Sequence, residues 1–139
     1  MRKQLVAQSG LGAIVLVDSI TQIDDADAGS VVIAASHGGS SSAQFALEQP
    51  LRLVVFNDAG GGKDQAGVAG LKILQDHKMP AATIAHTSAR IGDSADMWEN
   101  GVISYVNLAA KALGLRPGYS LRQTLLQSPL PDASEEGAR

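Results

Sequence analysis

His37, Asp58 and His86 are the residues of this chain best suited to moving protons, and all three stand at comparable places. Each lies one or two residues beyond an apolar run: Val31–Ala35, Leu51–Phe56 and Ala81–Ala85. An imidazole can act as a general acid or base near neutral pH, and a carboxylate can orient it or take part in the transfer. Each run opens into a polar, glycine-containing loop. Residues 36–42 read S-H-G-G-S-S-S, residues 57–64 read N-D-A-G-G-G-K-D and residues 86–93 read H-T-S-A-R-I-G-D. If the three runs are parallel strands of one sheet, the loops share an edge, and that edge is where open α/β sheets bind ligands. His37, Asp58 and His86 are therefore the expected catalytic residues.

The same loops carry groups suited to holding an anion. Gly38, Gly39, Ser40, Ser41 and Ser42 offer a phosphate or carboxylate cradle, because small residues let backbone N–H groups approach a ligand. The bland reading is a glycine turn followed by a serine cap. Asn57, Gly61 and Lys63 in the second loop, and Ser88 and Arg90 in the third, complete the expected substrate-binding set. An arginine fork suits two-point contact with a carboxylate or phosphate. Its alternative is a pair with Asp93 or Asp96. Asp64 reads as a helix cap and His77 as a residue near a helix end. Trp98 could wall a pocket that Glu99 reaches, although packing is the simpler role for a lone tryptophan. The G-x-x-x-x-G-K-[ST] phosphate loop is absent, and Gln65 breaks any dinucleotide fingerprint on Gly60 and Gly62.

These groups point to an enzyme acting on a small anionic metabolite, with acid–base chemistry of the hydrolase or lyase kind. A serine nucleophile among Ser40–Ser42 would need a histidine partner, and the G-x-S-x-G elbow is missing. A metal-dependent version would use His37, Asp58 and His86 as two imidazoles and a carboxylate around a divalent cation. No local metal motif is present, so no ligand is assigned to a metal from sequence. Two alternatives stay open: a metabolite-binding or regulatory module, and one subunit of an oligomeric enzyme with a shared active site.

The elements that must position these residues follow from composition and pattern. The chain has 139 residues, 45% hydrophobic but only 4% aromatic. A core of Val, Ile, Leu and Ala suits strands buried on both faces. The expectation is a three-layer α/β/α domain over 1–127, Rossmann-like, with a small, mostly parallel sheet of about four strands. Strands are expected at Ala13–Asp18 and at the three runs. Helices are expected at 43–49, 65–77, 94–113 and 120–127. Residues 1–12 read as a loose arm, and 128–139, with two prolines and two glutamates, as a disordered tail. The acidic residues Asp24, Asp25 and Asp27 read as a solvated turn, since the glycine and terminal glutamate of a calcium loop are missing.

Charge and cysteine content narrow the classes. The net charge is −3 with scattered Lys and Arg, so nucleic-acid binding is not expected. There is no cysteine, which removes disulfides and thiolate zinc sites. No apolar run approaches the ~20 residues of a membrane span, and the N-terminus lacks a signal-peptide pattern. A cytoplasmic protein is the expectation. A sheet of about four strands is small for the expected helices and leaves apolar surface, so a homo-oligomer is expected as well.

Overall fold

The computed structural model describes residues 3–60 and 68–127. Within them, the aliphatic runs assemble into one six-stranded sheet. Its strands are β1 (Lys3–Ser9), β2 (Gly12–Val17), β3 (Val31–His37), β4 (Leu53–Asn57), β5 (Ala81–Ile84) and β6 (Ile103–Val106). Their order in space is their order in sequence. β2 to β5 run parallel, and β1 and β6 flank them antiparallel. The helices are α1 (Ser40–Ala46), α2 (Ala69–Asp76), α3 (Ser94–Asn100), α4 (Leu108–Ala112) and α5 (Leu121–Leu126).

Alternation along the strands divides the core in two. Val32, Ala34, Val54, Phe56 and Ala81 face one way and pack with Ala43 and Ala46 of α1 and Leu71 and Leu74 of α2. Val31, Ile33, Ala35, Leu53, Val55, Ala82 and Ile84 face the other way. They meet Met97 and Trp98 of α3, Ala110 of α4 and Leu121 and Leu125 of α5. The layers are thus helix, sheet, helix. Connections between successive parallel strands that share one hand must all lie on one face. Accordingly α1 and α2 share the first face, and the second is covered by the chain after β5.

The fold differs from expectation in three places. The sheet has six strands and is mixed, so it is not the four-stranded parallel sheet of a Rossmann-like domain. Residues 3–9 are a strand rather than a loose arm. They form a hairpin with β2 in which Gly12 takes a φ of +122°. The helix expected over 94–113 is broken into α3, β6 and α4. Gly101 follows α3 where a Cβ would lie 2.3 Å from the Met97 carbonyl oxygen and 3.0 Å from Ile84 Cγ2. The β-branched and aromatic run Val102–Val106 then supplies a strand, and the Asn107 side chain caps α4 by accepting from the Ala110 N–H.

The turn over 19–30 holds two 3-10 turns, Ile20–Gln22 and Asp25–Asp27. Two of its acidic residues are met by Lys3 of β1, whose Nζ lies 3.2 Å from Asp24 and 2.9 Å from Asp27. Among the described residues no helix is long and apolar enough to cross a membrane. The expected tail at 128–139 lies outside the described residues, as does the start of the helix expected at 65.

Candidate functional site

The three loops meet at the carboxyl end of the parallel strands. The Gly38 N–H donates to the Asn57 carbonyl, joining the first loop to the second. From His86 the chain then runs back across the strand ends as a strap. Asn57 Nδ2 at the end of β4 donates to the Ala89 carbonyl at 3.0 Å. The Gly92 N–H donates to the Ala35 carbonyl of β3 at 2.9 Å. Ser94 donates from both its N–H and its hydroxyl to Asp18, just beyond β2, at 3.0 and 2.7 Å. An unbroken strand order has no reversal point, where such sheets usually open a crevice. Here the strap lies across that edge.

Asp58 and His86 form a pair. Asp58 Oδ1 accepts from the Gly60 N–H at 2.8 Å and the His86 N–H at 3.1 Å, and His86 Nδ1 lies 3.3 Å away. The carboxylate side chain is 7% exposed and the imidazole 54%. Burial pushes the Asp58 carboxyl up, but the hydrogen bonds from the Gly60 N–H, the Ser104 hydroxyl and the His86 N–H and ring outweigh it. The net effect holds Asp58 below the ordinary carboxylate value. Nδ1 is the ring nitrogen beside the carboxylate, which makes Nε2 the one available to a ligand.

The local backbone explains why a carboxylate stands there. Asn57 Oδ1 accepts from the Ala59 N–H, and Asp58 Oδ1 from the Gly60 N–H, each two residues on. Two successive side-chain-to-backbone turns of this kind hold Ala59 and Gly60 at φ of +53° and +79°. The His86 ring rests against Gly60, where a Cβ would lie 3.5 Å from Cε1.

His37 belongs elsewhere on the rim. It ends β3, beside Asn57 in register, and β3 is separated from β5 by β4. Two strand spacings amount to about 10 Å. His37 lines an open hollow of about 320 Å³ with Ser41, Ser42, Ile20, Phe45 and Ile91. Among the described residues no three His, Cys, Asp or Glu side chains form a metal-ligand group. The metal set of His37, Asp58 and His86 is therefore not assembled among the described residues: Asp58 Oδ1 accepts from two backbone N–H groups, and His37 lines its own hollow.

The other expected residues fall into three kinds. Some are held by internal bonds. Asn57 is fully buried and bonded through both side-chain atoms. The Ser88 hydroxyl donates to the Ala85 carbonyl and accepts from the Val102 N–H. The Gly38 carbonyl accepts from the Gly70 N–H at 2.8 Å, so the glycine loop seats α2. Others are open to solvent: Ser40, Ser41 and Arg90, whose guanidinium is 4.0 Å from Asp96 rather than paired with Asp93. Gly61 and Lys63 lie outside the described residues. Trp98 packs in the core, and Glu99 pairs with Arg122 at 2.6 Å.

Sequence reasoning missed Ser104 and Thr83, whose hydroxyls are 2.9 Å apart beside Asp58. Thr83 was visible as the one polar residue in the run Ala81–Ala85. Ser104 was hidden by reading its segment as a helix. No family model, curated protein or solved structure matches this chain.

Proposed function

We propose that the protein is an acid–base enzyme acting on a small anionic metabolite, a carboxylate or phosphate, by hydrolase- or lyase-type chemistry. The observation that carries this reading is the Asp58–His86 pair, a buried carboxylate 3.3 Å from Nδ1 of a half-exposed imidazole at the strand ends. Asp58 fixes the ring and its tautomer. His86 Nε2 takes a proton from the substrate or from water and returns it to the leaving atom. Arg90, four residues on and open to solvent, is the cation this reading assigns to an anionic group. His37 has no part in the proton transfer in this reading, since β4 separates it from the pair.

The test is a panel of small carboxylic acids and phosphate esters incubated with the protein and followed by NMR. The expected result is turnover of at least one compound, with a loss of about 10²–10⁴-fold in His86→Ala. His86→Ala should keep the wild-type melting temperature, since the side chain is half exposed. Binding of a panel member without chemical change would support a binding module instead. Turnover undiminished in His86→Ala would overturn the assignment. The expected homo-oligomer belongs to the same proposal, supported by exposed Tyr105 and Leu108 beside the β6 edge. Its check is the mass in solution.

A further inference from the structure

We infer that the hollow between α1, the 3-10 turn Ile20–Gln22 and the strap is a second ligand site, built for a small monocarboxylate with an aliphatic body. Its central feature is Ser42. The residue is only 6% exposed, yet among the described residues its hydroxyl has no hydrogen-bond partner, while it lines the hollow. A buried hydroxyl without a partner is costly, and an acceptor supplied by a ligand would satisfy it.

The remaining polar groups show which end of a ligand sits where. The Ser19 and Thr21 hydroxyls bond each other at 2.8 Å, and the Ser36 hydroxyl accepts from the Ile20 N–H at 3.0 Å. Ser36 keeps its own O–H, and one O–H of the Ser19–Thr21 pair stays free to donate. Among the described residues, the His37, Ser41 and Ser42 side chains make no hydrogen bond, and all three can donate one to a ligand. No acidic residue lines the hollow. Ser41 and Ser42 stand four and three residues before Phe45 and so share its side of α1. Ile20 and Ile91 add apolar surface. A short donor-rich end beside an apolar wall suits a carboxylate with a hydrocarbon chain. It does not suit a phosphate, which would call for Arg or Lys. Of the expected backbone cradle, the Gly38 N–H is spent on the Asn57 carbonyl.

This site stands apart from the Asp58–His86 pair and does not rest on its assignment. The test titrates hexanoate into the full-length protein, with hexylamine as the control, and follows the histidine ring signals by NMR. Hexanoate should shift the His37 signals and leave those of His77 in place, with hexylamine producing neither change. Ser42→Ala should weaken hexanoate at least about tenfold, the worth of one hydrogen bond to a charged group. Ser42→Ala loses only an unpartnered hydroxyl, so its melting temperature should not fall. His86→Ala should bind hexanoate as the wild type does. Three results would each overturn the inference: no shift of His37 at millimolar hexanoate, equal affinity in Ser42→Ala, or equal affinity for hexylamine. Should Ser42→Ala not fold, the wild-type comparison of hexanoate with hexylamine decides alone.

Discussion

Gly70→Ala tests how the glycine loop and α2 fit together, because two principles give opposite signs. In an ordinary helix, replacing Gly by Ala stabilises by about 1 kcal/mol. Here a Cβ would lie 2.5 Å from the Gly39 carbonyl oxygen, 2.9 Å from that of Gly38 and 3.1 Å from Ala43 Cβ. Two of the three obstacles are backbone atoms, which no side-chain rotation relieves. Overpacking of this kind costs roughly 1–3 kcal/mol. Pushing α2 away also stretches the Gly70 N–H bond to the Gly38 carbonyl, now 2.8 Å, worth about 1 kcal/mol. After the gain in helix propensity is set against these, the net loss is about 2 kcal/mol, or roughly 6–10 °C in Tm for a chain of this size. Urea denaturation followed by circular dichroism measures it. Ala69→Gly, at the exposed neighbouring position, reports propensity alone and should cost up to about 1 kcal/mol. A Gly70→Ala protein as stable as the wild type, or more so, would refute the close approach of α2 to the first loop.

Asp58→Asn should flatten the acid limb of the stability curve. Its folded-state pKa is lowered, so its contribution is present above the unfolded value near 4 and is lost as pH falls through the folded value. Urea midpoints measured from pH 6 down to pH 2.5 should therefore fall less steeply in the variant than in the wild type. Asn107→Ala should be among the most damaging single changes, at about 3–4 kcal/mol. It removes acceptance from the Ala81 and Ala110 N–H groups and donation to the Met79 and Leu71 carbonyls, all buried. A loss under about 1 kcal/mol in denaturant melts would contradict that accounting. Ala59→Gly should be neutral or stabilising by up to about 1 kcal/mol, since a φ of +53° strains an L-residue. A clear drop in Tm would show that the Ala59 methyl group matters more than the backbone conformation.

The parallel strands were legible because they are buried on both faces, and runs dominated by Val, Ile, Leu and Ala leave little other reading. The edge strands were not. Leu5 in β1 is 60% exposed and Tyr105 in β6 is 42% exposed, so neither segment shows a continuous apolar run. In the second case the spacing of Val102, Val106 and Ala109 imitates one side of a helix, and only Gly101 marks the break. At the site, the loops were placed at one rim by the simple rule that parallel strands end on one side. Their division was hidden, because it depends on β4 lying between β3 and β5 and on the strap closing over Asn57. The Asp58–His86 contact joins residues 28 apart through adjacent strand ends, and Ser104 reaches that contact only through the strand that was read as helix.

The unbroken order of strands has a consequence for synthesis. Everything needed to cover the first side of the sheet has been made once β5 leaves the ribosome. The opposite side, with Ile14, Ile33, Leu53, Val55 and Ile84, is covered by Met97, Trp98, Leu115, Leu121 and Leu125. Until those last residues emerge, the growing chain carries a bare aliphatic wall, and a stalled or shortened product would display it to chaperones and to other nascent chains.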